Sequence, residues 1–253
     1  MKTNQVNKKI SITVHLTPGN IDEMELKDQN LIVIDVLRAS TTIATALQNG
    51  AKEIMPVGTI ENAVKISGSL FGGVTLRAGE RNSKIIEGFN LGNSPKEFTE
   101  EVVKGKSIIF FTTNGTTAIG KGKHAKNLVV AGFVNLSKVV EFFIKLQEDV
   151  VILCAANENV FCVEDAVCAG RIINKMADSA GIELVLDDAG VACAMLDKSF
   201  GKSLLKMLKS TEHGKYLTEI GFADDLKICA ALDSVEVIPM LVGNIIKIPK
   251  DKI

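Results

Sequence analysis

Three times along the chain a short apolar run ends in a polar turn and then takes on helical spacing: LIVI at 31–34, SIIFF at 107–111 (apolar after its first residue) and VVILC at 150–154. A run apolar at every position, yet too short for a helix, suits a strand buried on both faces. Strands covered on both sides need helices on both sides. The expected fold class is therefore α/β: three α/β/α layers on a mostly parallel sheet with room for antiparallel pairing. The units at 31–47, 107–119 and 150–175 would bring their polar turns to one sheet edge, where open α/β sheets bind ligands.

Further strands are expected at 10–16, 53–57, 75–78, 128–131 and 235–241, with Pro239 placing the last at an edge or at its end. Helices are expected at 60–70 (closed by Gly72-Gly73), 97–103, 136–146, from 163 onward, and across 187–232 with breaks at His213-Gly214 and Gly221. Segment 79–95, rich in glycine and asparagine, reads as a long loop of the kind that often carries function. There is no linker or strict repeat. Residues 1–253 are expected to form one α/β domain, and two lobes within it are compatible with the pattern.

The turns carry the chemistry. In the first, Arg38, Ser40 and Thr41 stand at a helix start, where free N–H groups and the helix dipole favour an anion. Asp35 beside them is odd in a simple anion cup but makes sense if a metal ion bridges it to the anion. The plainer alternative is that Asp35 caps the turn and Ser40 the helix. In the second turn, Thr113, Asn114 and Gly115 suit an anion nest, with Asn-Gly supplying positive-φ backbone. Glu164 and Asp165 fall in the first turn of the third helix, where carboxylates also simply favour the dipole. Glu80 and Arg81 follow a strand, and the pair reads equally as a surface ion pair.

Of only four arginines, Arg38, Arg77 and Arg81 lie in these stretches, while Arg171 reads as structural. Arginine is the residue for forked recognition of phosphate or carboxylate.

Composition removes other classes. The net charge of −1 gives no field for nucleic acid or an anionic membrane. No apolar window is long enough for a membrane span, and residues 1–9 lack a signal-peptide core, so the cytoplasm is the expected compartment. The five cysteines form no CxxC pair and read as buried thiols. Segment 115–121 fits GxxxxGK, but Gly122 stands where a P-loop needs a hydroxyl. There is no GxSxG elbow and no HExxH helix, and the three histidines are dispersed. Carboxylates, arginines and hydroxyl-rich turns remain. They fit magnesium-assisted chemistry on a small polyanionic substrate. A non-catalytic anion sensor and a nucleotide-dependent transferase are the alternatives, and a homo-oligomer is compatible with either reading.

Taken in order, VIDVLRASTTI, AGERN, GFNLGNSP, TTNGT, EDAVCAGRI and the run from His213 to Pro239 resemble the 2-phosphosulfolactate phosphatase family. The resemblance implies an α/β phosphatase that uses Mg2+ to release phosphate from 2-phosphosulfolactate, a step toward coenzyme M; another phosphorylated hydroxy acid is the alternative substrate. The matched motif positions are Asp35, Arg38, Ser40 and Thr41; Glu80 and Arg81; Asn90 and Asn93; Thr113, Asn114 and Gly115; and Glu164 and Asp165. On chemical grounds Asp35, Glu80 and Asp165 are the catalytic candidates. Asp35, Glu80 and Glu164 are the metal ligands. Arg38, Ser40, Thr41, Arg81, Asn93, Thr113, Asn114 and Gly115 are the substrate contacts.

Overall fold

The computed structural model describes residues 8–69 and 75–249. The first part of the chain forms β1 (Lys8–His15), β2 (Asn30–Ile34), α1 (Ala39–Gln48), β3 (Glu53–Pro56), α2 (Ile60–Ser69), β4 (Thr75–Arg81) and β5 (Lys84–Ile85). The middle forms α3 (Glu100–Val103), β6 (Ser107–Phe111), α4 (Gly115–Lys121), β7 (Asn127–Ala131), α5 (Leu136–Leu146), β8 (Val150–Cys154) and α6 (Val163–Ala177). The last part forms β9 (Ile182–Leu186), α7 (Asp188–Phe200), α8 (Leu204–Ser210), α9 (Glu212–Glu219), α10 (Ala223–Cys229), β10 (Met240–Val242) and β11 (Ile245–Lys247). The expected close of α2 at Gly72-Gly73 lies outside the described residues.

The strands form one mixed, mostly parallel sheet in the order β5-β4-β6-β3-β11-β10-β7-β2-β8-β1-β9. The apolar runs fill its interior, and both faces are covered. Ile32, Ile34, Val129 and Ile152 pack with α5 and α6 on one face. Leu31, Val33, Leu128 and Val130 pack with Ala39 and Ile43 of α1 and Ile119 of α4 on the other. The alternation is the two-residue period of a strand read on both sides. No helix among the described residues is long and apolar enough to cross a membrane.

The sheet holds two parallel sets. β7, β2, β8, β1 and β9 run one way. β3, β4 and β6 run parallel to each other. The antiparallel hairpin β10–β11 joins the sets, and β3 pairs antiparallel with β11, so the second set runs opposite to the first. In a flat sheet their C-terminal ends would lie on opposite edges. They meet at one cavity, so the sheet bends back on itself across the hairpin.

Several expected elements shift. The strand expected at 235–241 begins only after Pro239, whose carbonyl accepts from Val130 N–H (2.9 Å) and which has no N–H of its own to give. It lies inside the sheet rather than at an edge. The helix expected at 97–103 is a 3-10 turn, Pro95–Glu97, followed by the short α3. His213-Gly214 is no break but the first turn of α9, capped by Thr211 accepting from Gly214 N–H (3.1 Å). Segment 115–121 is helical throughout, and Lys121 Nζ donates to Ile21 O (2.9 Å), so it forms no phosphate loop.

The loop expected at 79–95 is shorter, because β4 runs on to Arg81 and turns at Asn82-Ser83 into β5. Both turn residues have positive φ, which matches the twist of a two-residue hairpin. Gly79 permits this course: a Cβ there would lie 2.0 Å from Phe111 O on β6.

Candidate active site

The turns after β2, β4, β6 and β8 meet α9 around a cavity of about 330 Å³. Its wall holds Asp35, Arg38, Glu80, Asn93, Thr113 and Asn114, together with Asn82, Ser83, Asn157, Glu158, Glu212, His213 and Tyr216. A concave site where polar groups converge at strand ends is the usual place for a small ligand.

Each wall residue is held by its neighbours. Asp35 Oδ1 accepts from Ala39 N–H (3.1 Å), and Asp35 N–H donates to Ser40 Oγ (2.9 Å). Asp35 does close the turn, as the plainer reading had it, but Ser40 lies inside α1 and does not cap it; among the described residues Asp35 Oδ2 takes no hydrogen bond. Gly115 lets α4 come up against this oxygen: a Cβ there would lie 2.6 Å from Asp35 Oδ2 and 2.5 Å from Ala39 Cβ. Its role is close approach, because neither Asn114 nor Gly115 has the positive φ expected from the sequence.

Arg38 is 2% exposed. Nη1 donates to Asp225 Oδ2 (2.7 Å), Nη2 donates to Ser83 O (2.9 Å), and the guanidinium lies 4.3 Å from the Phe222 ring centroid. Ser94 Oγ steadies the other oxygen of Asp225 (2.7 Å). Two of the five guanidinium donors are thus committed, and among the described residues the other three make no hydrogen bond.

Glu80 spends Oε1 on Thr113 N–H (2.8 Å) and Oε2 on Ser83 N–H (2.7 Å), tying the β4–β5 hairpin to the turn after β6. Asn114 ties that turn to the next, donating to Asn157 Oδ1 (3.2 Å) and accepting from Glu158 N–H (2.9 Å). Asn93 Oδ1 is buried without a hydrogen-bond partner among the described residues.

Other expected residues stand behind the wall. Ser40 and Thr41 are buried in the first turn of α1, where Thr41 Oγ1 donates to Val36 O (3.3 Å). Asp165 accepts from Val36 N–H (2.9 Å) and Ala156 N–H (3.2 Å), bolting the turn after β2 to the turn after β8. Glu164 is buried beside it; among the described residues its Oε1 has no hydrogen-bond partner, and His213 Nδ1 lies 3.8 Å from it.

Arg81 does not reach the cavity. It follows Glu80 on β4, so it points to the opposite side of the strand and is exposed. Arg77 shares that side and stacks near Phe89, 5.8 Å from the ring centroid. Arg171 is structural, as expected: it bonds Asp197 (2.6 Å) and Gly201 O (2.6 Å) between α6 and α7.

The wall residues on α9, Glu212, His213 and Tyr216, went unassigned in the sequence. The run HGKYL was the signal there, since it belongs to the family-like C-terminal stretch. Tyr216 Oη donates to Asn82 O (3.2 Å), closing the rim.

Electrostatics distinguish this cavity. Four wall carboxylates, Asp35, Glu80, Glu158 and Glu212, face a single guanidinium. Burial, and then the charges of Glu80 and Glu164, push the Asp35 carboxyl up to about 7. Burial also raises Glu164, and burial with the charges of Asp35 and Glu164 holds Asp165 well above the usual carboxylate range. Burial and the charge of Arg38 lower His213 to about 4, so its imidazole is neutral at pH 7.

The site therefore lacks positive charge for a polyanion. A hard divalent cation fits that lack, with Asp35 Oδ2 as the wall oxygen that takes no hydrogen bond among the described residues and Glu164 Oε1, 3.8 Å from His213 Nδ1, behind it. Among the described residues no three His, Cys, Asp or Glu side chains form a ready metal cluster. An ion here would complete its shell with water and substrate oxygens, as magnesium does.

Comparison with known proteins gives the family. The family model for 2-phosphosulpholactate phosphatase matches residues 15–244. A protein of Caldanaerobacter subterraneus subsp. tengcongensis named probable 2-phosphosulfolactate phosphatase is 40% identical over 93% of this chain and 97% of its own length. Proteins of the same name from Clostridium acetobutylicum (36% identical over 91% of this chain and 97% of the relative) and Thermotoga maritima (38%, over 85% and 89%) are also similar. The chain belongs to the 2-phosphosulfolactate phosphatase family, whose members are phosphoric monoester hydrolases.

Proposed function

We propose that the cavity hydrolyses the phosphomonoester of 2-phosphosulfolactate, giving sulfolactate and phosphate, with Mg2+ completing the site. The observation that carries this reading is the meeting of Arg38 with a surplus of carboxylates at one cavity built from both strand sets. Asp35, with Glu164 behind it, would hold the ion, which when bound would offset the negative charge of phosphate, carboxylate and sulfonate.

The chain's own residues do the positioning. Arg38, fixed by Asp225, Ser83 and Phe222, keeps its free N–H groups in one orientation for the phosphate. Donors set in advance need no reorganisation as charge develops, which is the main requirement of phosphoryl transfer. Glu80 and Asp165, whose oxygens are engaged by backbone N–H groups, act as positioning residues that hold the turns in register. Asn93 Oδ1 offers an acceptor to substrate or water.

The test is phosphate release from 2-phosphosulfolactate, from other phosphorylated hydroxy acids and from a plain alkyl phosphate. The highest kcat/KM is expected for 2-phosphosulfolactate. A higher value for another phospho-hydroxy acid would overturn the substrate, and no turnover of any would overturn the reaction.

A further inference from the structure

Helix α7 turns one face to solvent. Val191 is 47% and Met195 59% exposed. Asp188 and Lys198, exposed on the same helix, fall on that face with them, because residues spaced by three and four share a side. The stripe therefore reads acid, apolar, apolar, base. Among the described residues neither Asp188 nor Lys198 has an ion-pair partner. Beside the stripe lies an apolar groove of about 340 Å³, lined by Ile173 of α6, Ile182, Leu184 and Leu186 of β9, and Val191 and Met195 themselves. β9 is the last strand on that side of the sheet.

We propose that α7 packs antiparallel against α7 of a second copy of this chain, about a two-fold axis level with Cys193. In that register Asp188 meets Lys198 of the second copy and Val191 meets its Met195. Symmetry then repeats both pairs. A two-fold contact requires each residue's partner to be matched in return. The acid and the base are equally distant from Cys193 along the helix, and so are the two apolar residues. An unrelated partner places no such demand on the stripe, so this charge complementarity singles out a second copy. The adjoining groove gives the long Met195 side chain of the second copy somewhere to lie. No residue of α7 lines the cavity of the candidate active site, so the contact leaves that cavity open.

Sedimentation of the full chain over a range of concentrations tests this, with circular dichroism melts to verify that each variant is folded. The wild type is expected to sediment as a dimer. Met195→Glu, at an exposed position that folding does not need, should raise the dissociation constant roughly tenfold or more. Asp188→Lys and Lys198→Asp should each weaken the dimer by like-charge contact, and the two together should restore it toward the wild-type value. A monomeric wild type, an assembly indifferent to Met195→Glu, or a double reversal weaker than either single one would each overturn the proposal.

Discussion

Arg38 and Arg171 make nearly the same bonds and stand in different surroundings. Each donates to one aspartate and one backbone carbonyl: Arg38 to Asp225 and Ser83 O, Arg171 to Asp197 and Gly201 O. Each aspartate is held by a second polar residue, Ser94 in one case and Asn174 in the other. Around Arg171 lie helix surfaces. Around Arg38 lie a cavity, the Phe222 ring and the carboxylates Asp35 and Glu80. The bonding pattern alone therefore does not mark a functional arginine. What sets Arg38 apart is open space and surplus opposite charge beside it.

The largest effect should separate the two. Arg38→Lys is expected to lower kcat/KM for phosphate release by on the order of a hundredfold, because an ammonium cannot satisfy Asp225, Ser83 O and the phosphate together. Arg171→Lys should leave kcat/KM within about twofold and lower only the melting temperature. Equal losses of activity in both variants would erase the distinction.

Among effects on stability the largest is removal of the counter-charge. Asp225→Ala leaves a buried guanidinium unpaired, a defect worth about 3–5 kcal/mol of stability. Asp197→Ala should cost less, since Arg171 is partly solvated and surface screening weakens its pair. Urea unfolding of both variants makes the comparison, and a larger loss for Asp197→Ala would reverse the ranking.

The pH dependence of stability is the third effect. A carboxyl raised from its ordinary 3.8 to about 7 binds its proton more tightly in the folded state than in the unfolded state. Asp35 thus contributes stability that is present below about pH 4 and lost as pH rises through about 7. Glu164 and Asp165, raised in the same direction, reinforce the slope. With chelator present, the melting temperature should fall between pH 5 and pH 8, and Asp35→Asn should flatten that fall. A melting temperature that rises over this interval would contradict the crowding of charge around Asp35.

The smallest effect is expected at Arg81. It faces away from Glu80, so Arg81→Ala should change kcat/KM for 2-phosphosulfolactate by less than about twofold. A selective loss on the polyanionic substrate would contradict the placement of Arg81 away from the cavity.

Much of the framework was legible because burial on both faces leaves unbroken apolar runs, as in β2, β6 and β8. β9 was not, because IELVL interrupts its run with Glu183 at the exposed edge. Nor was β11, since a three-residue strand after the Gly243-Asn244 turn offers too short a period to read. That Asp35, Arg38, Glu80, Asn93, Thr113 and Asn114 would line one cavity was recognisable by position, because turns after buried strands have few places to go. Arg81 was misplaced because β4 was read as ending before it, so its side of the strand was unknown. His213, Glu212 and Tyr216 escaped because which face of a helix meets a cavity depends on packing far away in sequence. That Asp225 would hold Arg38 joins residues 187 positions apart and has no local signature.

The central claim is that a divalent cation balances the carboxylates around Arg38. It is tested most directly by phosphate release from 2-phosphosulfolactate by the wild-type chain, in excess chelator and after Mg2+ is restored. Turnover should vanish with chelator and return in full with Mg2+. Undiminished turnover in excess chelator would contradict the claim.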